Sequence, residues 1–191
     1  LYGVWDLTIP GQSSTTQSGA NSTQIVQHQV TVTPGTGSTG SVYTLLPSAT
    51  KVVYTNGEGI RGWRVDQTVT SGERDIYDPN IFADIAFFTT IAPSVEQAGD
   101  PCMAVTSETF LYALNPLTGE MLPYSIFDTN GDGVVDKKDK PPVRKKLPGG
   151  GGPGEFFKPE PEDPGCGAGK QSFGVATNSA IEKGCVRNSY L

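Results

Sequence analysis

"FLYALNPLTGEML", residues 110–122, is the stretch whose reading decides the fold. An apolar strand runs into Asn115, the chain turns through Pro116, Leu117, Thr118 and Gly119, and it restarts apolar at Met121 and Leu122. Gly119 supplies the positive φ such a turn demands, and the Asn115 and Thr118 side chains are placed to cap backbone groups left open by the reversal. A strand, a tight turn and a second strand in this order suit the outer hairpin of a four-stranded propeller blade. They suit an ordinary hairpin of any other β fold equally well.

Outward from that hairpin the same grammar repeats. "SVYTLL" (41–46), "KVVYT" (51–55), "GWRVD" (62–66), "DIAFFTTI" (84–91) and "ETFLYAL" (108–114) are strand-like runs, separated by the turn signals NGEG, TSGE, DPN and LTGE. "QIVQHQVTV" (24–32) alternates, with Val26, His28, Val30 and Val32 on one face and Gln27, Gln29 and Thr31 on the other, the period of a half-buried strand. "LYGVWD" (1–6) has strand composition, and "SFGVATNSAIEKGCVRNSYL" (172–191) suits one or two final strands. Short strands roughly ten residues apart with such turns indicate an all-β sandwich, barrel or propeller. His28, the single histidine, lies on an apolar face without partners for metal or catalytic work, so it reads as a packed or rim residue.

The bulk composition agrees. With 191 residues, one domain over 1–191 can bury a core, while 24 Gly and 15 Pro predict many turns and no long helix. The 14 basic and 20 acidic residues give a net charge of −6, which argues against a nucleic-acid surface. No run of 18 apolar residues marks a transmembrane segment. The chain opens without an initiator Met on a strand already in progress, which suggests a piece of something longer. Of the 3 cysteines, Cys102, Cys166 and Cys185, none has metal-ligating or redox spacing. Three pairings are open. Cys166 and Cys185 flank a Gly-rich segment that a bridge would staple, which fits an exported, oxidising location.

From residue 137 the character changes. "KKDKPPVRKKLPGGGGPGEFFKPEPEDPG" (137–165) holds the basic cluster Lys137, Lys138, Lys140, Arg144, Lys145 and Lys146, then a glycine run and an acidic, Pro-rich patch. It reads as loop, with 140–165 a solvated Gly/Pro-rich insertion whose basic field is blunted by neighbouring acids.

Just before it stands "DTNGDGVVDKKD" (128–139). Hard cations such as Ca²⁺ take six to eight oxygens at roughly 2.3–2.6 Å, and a short loop supplies most of them when acid or amide side chains recur at alternate positions. Asp128, Asn130 and Asp132 fill the first, third and fifth positions, and Gly133 permits the sharp turn. Val134 then offers its backbone carbonyl, Asp136 follows at the ninth position, and Asp139 stands at the twelfth, where a helix-loop-helix site has a bidentate Glu. Without a cation these acids would repel one another. Pro123 before the loop and Pro141–Pro142 after it leave no room for flanking helices. The loop is thus expected as a calcium clamp on a β scaffold.

Taken together, "LYGVWD" (1–6), "RGWRVD" (61–66), "SGERDIYDPNIF" (71–82), "FFTTIAPS" (87–94), "DPC" (100–102), "FLYALNPLTGEML" (110–122) and "FDTNGDGVVD" (127–136) resemble, in order, the C-terminal portion of the PilY family of type IV pilus assembly and tip-adhesin proteins. "GCVRNSYL" (184–191) takes the place of that family's closing strand. The resemblance implies part of a modified, quinoprotein-dehydrogenase-like β-propeller whose other blades precede this segment. It implies a non-enzymatic, extracellular role at the pilus tip: promoting assembly with minor pilins, opposing retraction when calcium is bound, and attaching to host or abiotic surfaces. It also implies contacts with earlier blades or the N-terminal region of the same protein. Its calcium positions fall on Asp128, Asn130, Asp132, Val134 and Asp136, while Asp139 extends the family's shorter loop and the 137–183 insertion departs from its pattern.

Two other classes compete. A quinone-dependent dehydrogenase shares the "NPLTGEML" hairpin but needs a closed ring, a central cation and a base, none of which the sequence places. A dockerin-like calcium-dependent binding module needs two such loops, each followed by a helix, and one loop is present.

Overall fold

The structure is a computed structural model that describes residues 1–4, 24–34, 41–46, 48–53, 60–93, 107–148, 155–157, 166, 170–176 and 181–187. Expectations for Trp5, Asp6, the 7–23 loop, Tyr54, Thr55, Cys102, most of the 149–165 insertion and residues 188–191 fall outside these. The described chain is all β. Its strands are β1 (Tyr2–Val4), β2 (Ile25–Thr33), β3 (Val42–Leu45), β4 (Gly62–Asp66), β5 (Arg74–Asp75), β6 (Asn80–Phe82), β7 (Ile85–Pro93), β8 (Ser107–Leu114), β9 (Arg144–Lys146), β10 (Glu155–Phe157), β11 (Lys170–Ala176) and β12 (Ile181–Arg187). Among the described residues no helix is long and apolar enough to cross a membrane.

Nine strands form one sheet in the order β1-β4-β2-β3-β9-β8-β7-β5, with β6 also on β7; β10-β11-β12 form a second, three-stranded sheet. All neighbours are antiparallel except β2 and β4, which run parallel from Ile25↔Gly62 to Gln29↔Asp66. The large sheet curls on itself, because Val26, Val30, Trp63 and Val65 from one end share a core with Ala86, Phe88, Phe110 and Tyr112 from the other. Trp63 and Phe88 meet edge-to-face at 6.1 Å. The opposite face of β7 and β8, carrying Ile85, Phe87, Leu111 and Ala113, packs on Ile126 and Phe127 and on Phe173, Val175 and Val186 of the small sheet. Burial on both faces explains why "DIAFFTTI" is a continuous apolar run rather than an alternating one.

The 110–122 hairpin forms as read. Asn115 Oδ1 accepts from the Leu117 and Thr118 amides at 2.9 and 3.1 Å, and Gly119 has φ +68°. A Cβ on Gly119 would sit 2.3 Å from the Trp63 ring, whose Nε1 donates to Pro116 O at 3.0 Å, so the indole locks this turn against the curled sheet. His28 is buried, with Nε2 2.9 Å from Thr118 O, and holds the same turn from the other side.

Three expectations change. The described part of "KVVYT", Lys51–Val53, is not a strand; Val53 N–H instead bonds Ile60 O at 3.1 Å across a loop. Val32 lies exposed beyond the point where the half-buried face of β2 ends. Most consequentially, the basic cluster is not all loop: Arg144–Lys146 form β9 between β8 and β3, and Arg144 is 1 % exposed. The insertion likewise contains β10, which pairs with β11.

Candidate metal centre

Residues 128–139 join the buried segment ending at Phe127 to β9, and both anchors are firm. Ile126 O accepts the Cys185 amide of β12 at 2.8 Å, Ser125 Oγ donates to Phe127 O at 2.8 Å, and Val143 on the far side is fully buried. No helix flanks the segment among the described residues.

The acid and amide side chains shape the loop from within. Asp128 accepts from the Gly131 amide (Oδ1, 2.6 Å) and the Gly133 amide (Oδ2, 2.8 Å). Gly133 takes φ +84°, the sharp turn its position requires. Asn130 Oδ1 accepts from Asp132 N at 2.9 Å, Asp132 Oδ1 from Val134 N at 3.0 Å, and Asp136 Oδ1 from Lys138 N at 2.7 Å. Asn130 Nδ2 donates to Asp132 Oδ2 at 3.1 Å. Asp139 is 5 % exposed. Burial raises its carboxyl pKa, but amide bonds from Asp136, Thr129 and Asn130 outweigh this and hold it below the ordinary carboxylate range.

Outside tethers fix the loop to both sheets. Lys145 Nζ donates to Asp128 O at 3.3 Å, pairs with Glu182 of β12, and sits 5.5 Å from the Phe127 ring centroid. Lys170 Nζ of β11 donates to Val135 O at 2.7 Å. Val135, the apolar eighth position, packs against Cys166 and Cys185, which form a disulfide with an S–S distance of 2.00 Å. Sequence reasoning missed Thr129, Lys145 and Lys170 as loop-holding residues. Lys145 was hidden in the basic run, and the partner of Lys170 lies 35 residues away, beyond any local signal.

Among the described residues no three His, Cys, Asp or Glu side chains are gathered to hold an ion. The donor chemistry nevertheless suits a hard cation. A carboxylate has about four lone-pair sites, and the bonds above leave free acceptor capacity on Asp128, Asn130, Asp132 and Asp136. Asn130, Asp132 and Val134 are exposed, and a cleft of about 610 Å³ lined by Tyr43, Glu108, Asp128, Asn130 and Lys145 opens the first half of the loop to solvent.

No protein-family model matches the sequence. Over 145 residues, 72 % of the chain, it is 27 % identical to the type IV pilus biogenesis factor PilY1 of Pseudomonas aeruginosa strain PAO1. Over 155 residues it is 29 % identical to that of strain UCBPP-PA14. A crystal structure of the P. aeruginosa PilY1 C-terminal domain superposes with a TM-score of 0.65 at 19 % identity, covering 96 % of this chain and 36 % of that one. The sequence is thus similar to PilY1, and the fold to that of the PilY1 C-terminal domain. The chain spans 12 % of the length of these curated PilY1 relatives. The PilY1 relatives are named as biogenesis factors, not as enzymes.

Proposed function

We propose that the chain is the C-terminal β portion of a type IV pilus assembly factor and tip adhesin, and that its 128–139 loop takes up one Ca²⁺. The observation that carries this is a loop of hard-oxygen donors at alternate positions, in a chain similar to PilY1, pinned at Asp128, Val135 and Phe127 to two sheets. The side chains of Asp128, Asn130, Asp132 and Asp136 and the carbonyl of Val134 would hold the ion. When bound, the ion supplies charge neutralisation and cross-linking among these oxygens, without redox or Lewis-acid chemistry. Asp128 orients the turn, Gly133 lets the chain reverse, and Lys145 and Lys170 keep the loop against the scaffold.

The same reading places the segment within a modified β-propeller completed by earlier parts of the same protein. It acts outside the cell, at the pilus tip, against minor pilins and a host or abiotic surface, and modulates pilus extension and retraction. Calorimetric titration tests its core: the wild type should bind Ca²⁺ in preference to Mg²⁺, and Asp132→Ala should weaken binding at least tenfold while the β signal in circular dichroism stays intact. Equal Ca²⁺ affinity in both proteins would refute the ligand assignment.

A further inference from the structure

We propose that Asp139 is a positioning residue of the loop and not one of its cation ligands. In a helix-loop-helix site the twelfth residue projects from an exiting helix and grips the ion with both carboxylate oxygens. Here the exit is a tight turn followed by Pro141 and Pro142, and Asp is one methylene shorter than Glu. The Asp139 carboxylate therefore folds back onto the loop's own backbone. Its Oδ1 accepts from the Thr129 amide at 2.7 Å, the Asn130 amide at 3.2 Å and the Thr129 hydroxyl at 3.1 Å. Its Oδ2 accepts from the Asp136 amide at 2.8 Å. The Thr129 hydroxyl in turn accepts the Lys140 amide at 3.0 Å, which closes the ring between loop start and loop end.

Four bonds fill about the whole acceptor capacity of a carboxylate, and a bidentate grip would compete with all four donors in a site that is 5 % exposed. The other acids differ: Asp128, Asp132 and Asp136 keep free lone pairs and lie exposed or half-exposed. Asp139 thus ties the second, third and ninth positions into one frame, and the ligand-bearing residues hang from it. The chemistry is that of pre-organisation: backbone ordered in advance need not be ordered by the ion.

This inference rests on the reading that the loop takes a hard cation, so the test separates the two. Amide hydrogen exchange of the whole chain is measured in chelator-containing buffer, with no calcium involved. Asp139→Ala should speed exchange at Thr129, Asn130 and Asp136 by roughly tenfold or more, equivalent to about 1.4 kcal/mol. Asp139→Asn, which keeps an oxygen at the Oδ1 position, should do so mainly at Asp136. Asp132→Ala should affect Val134 and leave Thr129 and Asn130 protected. In calcium titrations Asp139→Asn should lose much less affinity than Asp132→Ala. Unchanged exchange at Thr129 and Asn130 in Asp139→Ala would overturn the proposal, as would an affinity loss in Asp139→Asn equal to that of Asp132→Ala. Failure of the wild type to bind calcium would sink the cation reading alone, while the exchange pattern would still decide the role of Asp139.

Discussion

Arg144 carries its guanidinium into a site where both it and its partner Glu73 have no exposed side-chain surface. The guanidinium's central carbon lies 4.1 and 4.0 Å from the ring centroids of Tyr43 and Phe110, which themselves meet edge-to-face at 6.1 Å. Nη1 meets Glu73 and the Tyr112 hydroxyl, and Nη2 donates to Thr70 Oγ1 at 2.8 Å. Glu73 Oε1 accepts from Thr90 at 2.6 Å and from Tyr112 at 2.9 Å. Removing one partner of a buried pair strands the other charge, so Arg144→Leu should destabilise by about 3–5 kcal/mol in chemical denaturation, and Glu73→Met added to it should recover part of that loss. Burial, reinforced by the adjacent Glu73 carboxylate, pushes the Tyr112 phenol well above its ordinary value of 10.0. Above about pH 10 the unfolded chain then releases a proton that the folded chain keeps, so stability should fall with a slope of up to about 1.4 kcal/mol per pH unit, absent in Tyr112→Phe. None of this was legible in "KKDKPPVRKK" (137–146), where six cations in ten residues read as a solvated run. The available hint was that Val143 and Leu147 bracket the cations, and both are buried.

At the scale of elements, legibility followed locality. The 110–122 hairpin was readable because Asn115 and Gly119 act on their own neighbours. β5, β6, β9 and β10 span two or three residues each and exist only because a longer strand offers them an edge, which no local pattern announces. The β6–β7 turn makes the same point. Ala83 and Asp84 take φ +50° and +58° between the paired residues Phe82 and Ile85, the geometry of a two-residue turn that favours Asn-Gly. "AD" gave no turn signal, and a left-handed Ala costs about 1–2 kcal/mol. The double substitution Ala83→Asn, Asp84→Gly should therefore raise stability by roughly 1 kcal/mol, read as a higher thermal midpoint; an unchanged or lower midpoint would mean that the turn is held by its surroundings. In the 128–139 loop, the alternate acids were visible from spacing alone, whereas the tethers from Lys145 and Lys170 are tertiary.

For the whole molecule, the all-β class was legible from strand spacing, but the order of strands was not, since β4 inserts between β1 and β2 and β9 between β3 and β8. The small sheet is tied to the rest through Phe173 and Val186 in a shared core, the Ile126–Cys185 backbone bond and the disulfide beside Val135. Replacing both Cys166 and Cys185 by Ser should cost about 2–4 kcal/mol. Exchange should rise first in β11, β12 and the loop around Val135, and last in β7 and β8. Uniform loss of protection across both sheets would show that they open as one unit.

The nine-stranded sheet has a seam. Its halves, β1-β4-β2-β3 and β9-β8-β7-β5, are joined by a single registered pair, Tyr43 with Arg144. Closing it brings together residues about a hundred positions apart, and loop-closure entropy opposes such an encounter until other contacts offset it. The long β7–β8 pair is therefore expected to form first and the first half to dock late, so that Tyr43→Ala should speed unfolding more than it slows folding in stopped-flow measurements.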